Sequence, residues 1–485
     1  MLVNHPTIVV RDFLSPEECR RHIAAAEARG FRSAGSDYPP SYRNNDRLVI
    51  DDAALAGDLF RRVRGLAPEV IEGGWHLEGI NPRFRLCRYL PGQRFSIHQD
   101  GVHYREPGCR SWLTFMIYLT DGTEFEGGGT LFYAAGPGAA PQGADAPPVV
   151  ARLRPRAGML ILFDHAVWHA GDTLTRGSKH ILRSELLYRR AGALAEPAGA
   201  FQPAHQGYVW TMARLSGGRV ASGGRDASIR LWSNDGAPLG RLAGHRQSVL
   251  GLAQYASGCL ASVSRDRSLR LWNAEALACE HAVIAHRSAV LAVAALPGKR
   301  LATGAADHAV KLWSCERGAP REIHALEGHA GWVWALAPAG AARLASASED
   351  GSLRLWDTER FECLAVLAAG RPLRTLDVSP DGALLAAGDI SGEVTLWKTL
   401  ERPVLVGRFR AHAAAVRRVR FFDASTLATA GEDNRLRVWR AADASLLDEA
   451  PHDNFVTDVL PPQDGRYLSC SYDGSIAAHR VSSRR

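Results

Sequence analysis

Nowhere does the sequence carry an uninterrupted apolar run of about 20 residues, so no segment has the makings of a membrane-spanning helix. Blocks of about five or six like charges are also missing, which removes the usual sign of a nucleic-acid-binding tail. The eight cysteines (Cys19, Cys87, Cys109, Cys259, Cys279, Cys315, Cys363 and Cys470) form no C-x-x-C pair and no dense framework, so a disulfide-stapled fold is excluded. The opening stretch MLVNHPTIVVRDFLSPEE meets charge too early to supply the apolar core of a secretory signal. A soluble, cytoplasmic protein with reduced thiols and no membrane or nucleic-acid partner is expected. What is present is an ordinary globular composition, 46% hydrophobic and 22% charged, with a mild net charge of +7. At 485 residues the chain exceeds what one core organises, so two domains are expected.

The chain begins with a short apolar strand and a well-marked helix start. Ser15 suits the N-cap, Pro16 the first helical position and Glu18 the closing member of a capping box, with Gly30 ending the helix. A polar, turn-rich stretch, SDYPPSYRNNDRLVIDD, follows, then a second helix over ALAGDLFRRVRGL. From residue 83 the pattern becomes short strands: FRLCRYL, RFSIHQD, SWLTFMIYLT, GGTLFY, VVARLRP, MLILFD and KHILRSELLY. Their spacing suits an antiparallel double-sheet barrel, a jelly roll with flanking helices. The Ala/Gly/Pro tract at 134–148 has too little to bury and reads as a mobile surface insertion.

Beyond about residue 200 the sequence repeats itself. Trp232, Trp272, Trp313, Trp356, Trp397 and Trp439 recur every 40 to 43 residues, and a seventh copy ends at His479. A histidine stands 27 residues before each of these positions (His205, His245, His286, His329, His412 and His452), except in the fifth copy, which has Gly370. Serine or threonine stands ten before, with Ala387 the exception, and aspartate six before, with Ser391 the exception. These four groups can share one buried hydrogen-bond network, which explains their fixed spacing. The pattern resembles the WD-repeat family over about residues 200 to 485, which implies a seven-bladed propeller of four-stranded blades. The fifth blade, short of three of the four groups, should be the least rigid. Only RVSSRR follows His479, so the segment EPAGAFQP before His205 is expected to pair onto the seventh blade and close the ring. The domains are then 1–190 and 191–485, with 191–204 closing the last blade and the two held close.

The chemistry gathers at His98-Gln99-Asp100. On a strand, residues two apart project to one face, so His98 and Asp100 can grip one metal ion. A third ligand is offered by His169, and two histidines with one carboxylate form the facial set typical of non-haem Fe(II) oxygenases. His165, four residues before His169, is assigned to the rim, and His103 and His180 have no partner at a ligand spacing.

The ordered set YLPGQRFSIHQDG, LTFMIYLTD, FEGGGTLFY, RPRAGMLILFDHAVWHAG and RGSKHILRSELLYR is similar to the Fe(II)/2-oxoglutarate dioxygenase superfamily, and most to its prolyl 4-hydroxylase-like branch, over about residues 5 to 190. The resemblance implies His98, Asp100 and His169 as iron ligands, 2-oxoglutarate and O2 as cosubstrates, and ascorbate as a supporting reductant. It also implies a basic residue about ten positions after the distal histidine to hold the far carboxylate of 2-oxoglutarate. Lys179 stands there, preceded by Gly177; Arg183 lies on the same strand face and is the rival, since a guanidinium pairs bidentately with a carboxylate. Spacing favours Lys179. Tyr89 and Tyr118 match positions where the family often sets a hydroxyl near the cosubstrate, and both equally suit the core. Arg43, Asn44, Asn45 and Arg47 fall where related enzymes carry a mobile substrate loop; a solvated loop explains them as well.

The expected activity is hydroxylation of a C–H bond in a protein or peptide, proline being the residue the resemblance suggests, with the propeller recruiting the target. Two alternatives stand: a small-molecule hydroxylase whose propeller serves interaction or localisation, and a non-enzymatic scaffold. Repeated Ser, His and Asp, as in Ser222, His205 and Asp226, do not make a hydrolase, because nearly complete copies tied to a tryptophan describe structure rather than one exposed nucleophile.

Overall fold

The structure is a computed structural model, and it describes the chain apart from residues 1–6, 37, 41, 72, 107, 137–145, 191–200, 203–204, 317, 400–402 and 481–485. It is mainly β and divides into two compact units, 1–197 and 198–485. Among the described residues, no helix is long and apolar enough to cross a membrane.

In the first unit, helix α1 (Pro16–Arg29) starts on the capping box read from the sequence: Ser15 Oγ accepts from Glu18 N, and Glu18 returns a carboxylate to Ser15 N. Gly30 ends it at a φ of 81°, which favours glycine. Helix α2 (Ala53–Val63) is capped by Asp52, whose carboxylate accepts from Leu55 N, and stops short of the expected Leu66. Both helices cover one face of a ten-stranded sheet whose main path runs Ile8–Val10, Leu160–Asp164, Cys109–Tyr118, Lys179–Arg190, Arg83–Tyr89, Asp46–Asp51 and Arg32–Ser33. A four-stranded sheet, in the order Val149–Leu153, Thr130–Tyr133, Trp168–Gly171 and Phe95–His98, packs on its other face.

Alternation along Cys109–Tyr118 builds two cores from one strand. Leu113, Phe115 and Ile117 bury against the helices with Leu59 and Val63, while Met116 and Tyr118 bury between the sheets with Phe132 and Phe163. Two elements depart from the sequence reading. Asp46–Asp51, read as part of a turn-rich stretch, is a strand paired with Arg83–Tyr89. Its polar end is held by Asp46, which pairs with Arg88 at 2.9 Å. Trp168–Gly171, which carries His169, is a strand with no alternation to announce it. Most of the 134–148 tract lies outside the described residues.

The second unit is a ring of seven antiparallel sheets, six four-stranded and the last three-stranded among the described residues. In the fourth blade, Trp356 Nε1 donates to Ser346 Oγ at 2.8 Å, Ser346 lies 2.7 Å from His329 Nε2, and His329 Nδ1 lies 2.9 Å from Asp350. The Asp350 carboxylate only accepts, so His329 Nδ1–H donates to it; Nε2 of the neutral imidazole then accepts from the Ser346 hydroxyl, which itself accepts from the indole N–H. The same relay runs through Trp232, Trp272, Trp313 and Trp439. In the seventh blade His479 takes the tryptophan's place, 2.6 Å from Ser469 Oγ and stacked on Tyr467. The fifth blade holds its turn differently: Asp389 accepts from Ser391 N, Ser391 Oγ and Glu393 N. The segment expected to close the ring lies largely outside the described residues; Phe201, within it, buries with Trp232, Leu460 and Leu468.

Candidate metal centre

Three side chains converge between the two sheets of the first unit. His98 is the last residue of Phe95–His98, and His169 sits directly opposite it in the paired strand Trp168–Gly171. Asp100 lies just past the strand end, so strand alternation does not place it. Its backbone N–H donates to His165 O at 3.0 Å, and that bond turns the carboxylate toward the imidazoles. One ligand atom from each of His98, Asp100 and His169 lies within 4.8 Å of the others, and all three residues are buried.

Both imidazoles are oriented in the same way. His98 Nδ1 is 2.7 Å from Ser96 O and His169 Nδ1 is 3.0 Å from Val167 O, each the carbonyl two residues back. A carbonyl only accepts, so each Nδ1 carries the proton and each Nε2 presents a lone pair toward Asp100. The Nε2 atoms stand 3.5 Å and 3.7 Å from the carboxylate oxygens. Phe95 stacks on His98 and Phe163 meets His169 edge-on, fixing both rings. His98 Nε2 is buried and has no hydrogen-bond partner in the protein, a costly arrangement that a metal ion at this point would relieve. Two imidazole nitrogens and one carboxylate on a common face suit Fe(II).

Asp100 is held from behind by Thr114 Oγ1 and by the Arg183 guanidinium. Burial alone would raise its carboxyl, but Arg183, His169 and His98 outweigh that and hold it well below the usual range. Burial, with His98 adding to it, pushes the His169 imidazole down to about 3. Arg183 thus serves Asp100. Lys179 differs. Its ammonium donates to Gly128 O at 2.6 Å, lies 4.3 Å from the centre of the Tyr89 ring, and has no carboxylate partner among the described residues. Burial pushes it down to about 8. The turn before it requires glycine: Gly177 has φ of 79°, and a Cβ there would stand 2.4 Å from Glu124 O. Tyr89 and Tyr118 line the same cavity, with the Tyr118 hydroxyl bonded to Thr130.

Of the four loop residues, Arg43 alone lines the cavity. Asn45 is fully buried beneath it, Asn44 ties the loop to Gly92 and Arg94, and Arg47 lies over the Tyr38 ring. A solvated loop therefore does not describe Arg43 or Asn45. His165, assigned to the rim, is instead buried at 4% exposure, with neither ring nitrogen bonded in the protein. His180 bonds Glu27 and Thr120. The sequence reading overlooked Thr114 and Glu185, although the alternation that points Tyr118 and Met116 inward also points Thr114 inward, opposite Glu185. Glu185 pairs with Arg85 at 2.5 Å and accepts from Asn81 at 2.8 Å.

Residues 84–184 match the family model for the 2OG-Fe(II) oxygenase superfamily. Seven further segments, 197–233, 236–273, 277–314, 320–357, 361–398, 403–440 and 447–477, match the WD domain, G-beta repeat. The chain belongs to the WD-repeat proteins and carries a 2OG-Fe(II) oxygenase domain. Among curated proteins, no significant match to the chain was found. The oxygenase family implies Fe(II), 2-oxoglutarate and O2, and the matched segment contains the whole His–Asp–His cluster. The cavity lined by His98 and His169 is also lined by one ammonium, Lys179, two tyrosines, Tyr89 and Tyr118, and two guanidinium groups, Arg43 and Arg183.

Proposed function

We propose that the first unit is a hydroxylase in which His98, Asp100 and His169 hold Fe(II) and Lys179 holds the distal carboxylate of 2-oxoglutarate. The observation that carries this is a buried, convergent set of two Nε2 atoms and one carboxylate, two of its residues lining one cavity with a buried ammonium that has no carboxylate partner among the described residues. Arg183, the rival for the carboxylate, is already neutralised by Asp100. When bound, iron with 2-oxoglutarate and O2 supplies C–H oxidation coupled to decarboxylation of the 2-oxoglutarate. The protein's part is to bind, orient and enclose. Ser96 O and Val167 O fix the two imidazoles, Thr114 and Arg183 fix the carboxylate, and Met116, Phe163 and Ile181 keep water from the wall.

The substrate we favour is a protein or peptide side chain, with proline first to be tried because of the prolyl 4-hydroxylase-like resemblance. A propeller on the same chain suits recruitment of such a target, since WD repeats generally mediate protein interactions. The test is to incubate the protein with cell lysate, Fe(II), ascorbate and 2-oxoglutarate, then search captured proteins by mass spectrometry for the gain of one oxygen. Oxygen gain dependent on 2-oxoglutarate is expected; its absence, with 2-oxoglutarate converted to succinate as a small acid gains the oxygen instead, would favour a metabolite substrate.

Lys179 also sets a pH dependence. Its ammonium, held near 8 by burial, is lost as pH rises through that value, and with it the counter-charge for the distal carboxylate. The dissociation constant for 2-oxoglutarate should therefore be flat below pH 7 and rise about tenfold per unit above pH 8. Lys179→Arg should flatten the curve, because a guanidinium stays charged. Titration calorimetry with the Mn(II)-loaded protein at a series of pH values checks it.

A further inference from the structure

The cavity holds a second buried cation without a counter-charge among the described residues. Arg43 is 4% exposed, and its contacts are all with neutral groups. Nε donates to Asn45 Oδ1 at 2.6 Å, Nη2 to Cys87 Sγ at 3.2 Å, and Cζ lies 4.2 Å from the centre of the Phe95 ring. Among the described residues no carboxylate pairs with it. The Phe95 contact recovers only part of what it costs to bury an ion. A guanidinium kept in such a place marks a site that an anion completes.

That anion is not accounted for by the cosubstrate. Arg183 already has Asp100. With the distal carboxylate of 2-oxoglutarate on Lys179 and its other carboxylate at the metal, Arg43 is left over. Its position also differs from that of Lys179. Lys179 sits on a barrel strand beside Tyr89, whereas Arg43 reaches in from a segment outside the barrel and bridges by backbone to Phe95, the residue stacked on His98. It lines the same cavity as His98 and His169, so an anion held by it would lie in that cavity with two of the candidate metal ligands.

We propose that Arg43 recognises a carboxylate on the substrate, so that the enzyme selects molecules bearing an acidic group close to the C–H bond it oxidises; this rests on the oxygenase reading given above. A carboxylate matches the fork of a guanidinium and gains a charge-assisted pair in a water-poor site. Two sources share that chemistry: an acidic side chain within a protein, and the free carboxylate of a chain end or small acid.

The full-length protein, loaded with Mn(II) and 2-oxoglutarate, is exposed to three pools of acetylated tetrapeptides, and the retained peptides are measured by mass spectrometry. One pool carries one Asp or Glu and an amidated end, one carries Asn or Gln and an amidated end, and one is neutral within but has a free terminal carboxylate. Retention of a carboxylate pool about tenfold or more above the amide pool is expected. Excess in the first pool assigns an acidic side chain, and excess in the third assigns a chain end or small acid. Arg43→Gln should abolish the preference. Asn45→Asp provides a second route with a near-isosteric change, since it puts a carboxylate on the oxygen that Arg43 already uses. That internal anion should cancel the preference while calorimetry shows 2-oxoglutarate bound within about threefold of the parent, a change under 1 kcal/mol. No excess of either carboxylate pool, a preference that survives both variants, or a loss of 2-oxoglutarate binding in Arg43→Gln as deep as in Lys179→Gln would overturn the proposal. A parent protein that binds neither Mn(II) nor 2-oxoglutarate would instead overturn the oxygenase reading, and this proposal with it.

Discussion

Asp100→Ala is expected to abolish metal-dependent succinate formation and to destabilise the first unit at the same time. The two losses have separate causes. Removing a carboxylate from the facial set takes away the one anionic ligand, and the fall in metal affinity should exceed the roughly 10–100-fold typical of losing an outer partner. Arg183 then loses its counter-charge while remaining buried, with 13% of its side chain exposed, which costs about 3–5 kcal/mol. Arg183→Met in the same background should recover much of the stability and none of the metal binding. Thermal denaturation and Mn(II) titration of the two variants measure the two effects independently. Equal destabilisation in the single and double variants would show that the buried charge is not the cause.

Trp356→Ala should be among the most damaging single changes in the propeller. The indole is 2% exposed and anchors a relay through Ser346, His329 and Asp350. Truncating a buried tryptophan costs about 3–5 kcal/mol, and the lost donor leaves Ser346 partly unsatisfied. His479→Ala, at the equivalent place in the seventh blade, should cost less, because the smaller ring leaves a smaller hole. The same relay fixes the acid limit. Burial would raise the Asp350 carboxyl, yet hydrogen bonds from His329, Ser352 and backbone N–H groups hold it well below its usual range. Asp307 is likewise held down, to about 2, by His286 and backbone donors against the effect of burial. A depressed carboxyl contributes stability above the unfolded value of about 3.9 and loses it as pH falls through the folded value. The carboxylates' share of the propeller's stability should therefore be lost only below about pH 4, and Asp350→Asn should reduce the slope of the melting temperature there. Loss already near pH 6 would point to the histidines instead.

These two residues also show how differently the halves of the chain could be read from sequence. A four-member relay leaves four residue types at fixed offsets, repeated around the ring, so the propeller declares itself even where the fifth copy has Gly370, Ala387 and Ser391. The metal centre leaves one tripeptide and one distant histidine. Its partners, Thr114 and Arg183, lie 14 and 83 positions from Asp100 and are placed by sheet register, which has no local signature. Asp100 itself is set by the bond to His165 O beyond the strand end rather than by alternation. Polarity misled at three points. Arg43, Asn45 and His165 have the look of surface residues and are buried: Arg43 lines the cavity, Asn45 accepts its Nε–H, and the His165 carbonyl accepts from Asp100 N. The short strand Trp168–Gly171 is recognisable only from its pairing with Phe95–His98.

The metal centre is tested most directly by the succinate that the purified full-length protein releases from 2-oxoglutarate with and without Fe(II). The result predicted is one succinate per 2-oxoglutarate consumed, strictly dependent on Fe(II), and reduced to background in both His98→Ala and His169→Ala. Succinate formation that persists in either variant, or a parent protein that neither binds Fe(II) nor consumes 2-oxoglutarate, would contradict it.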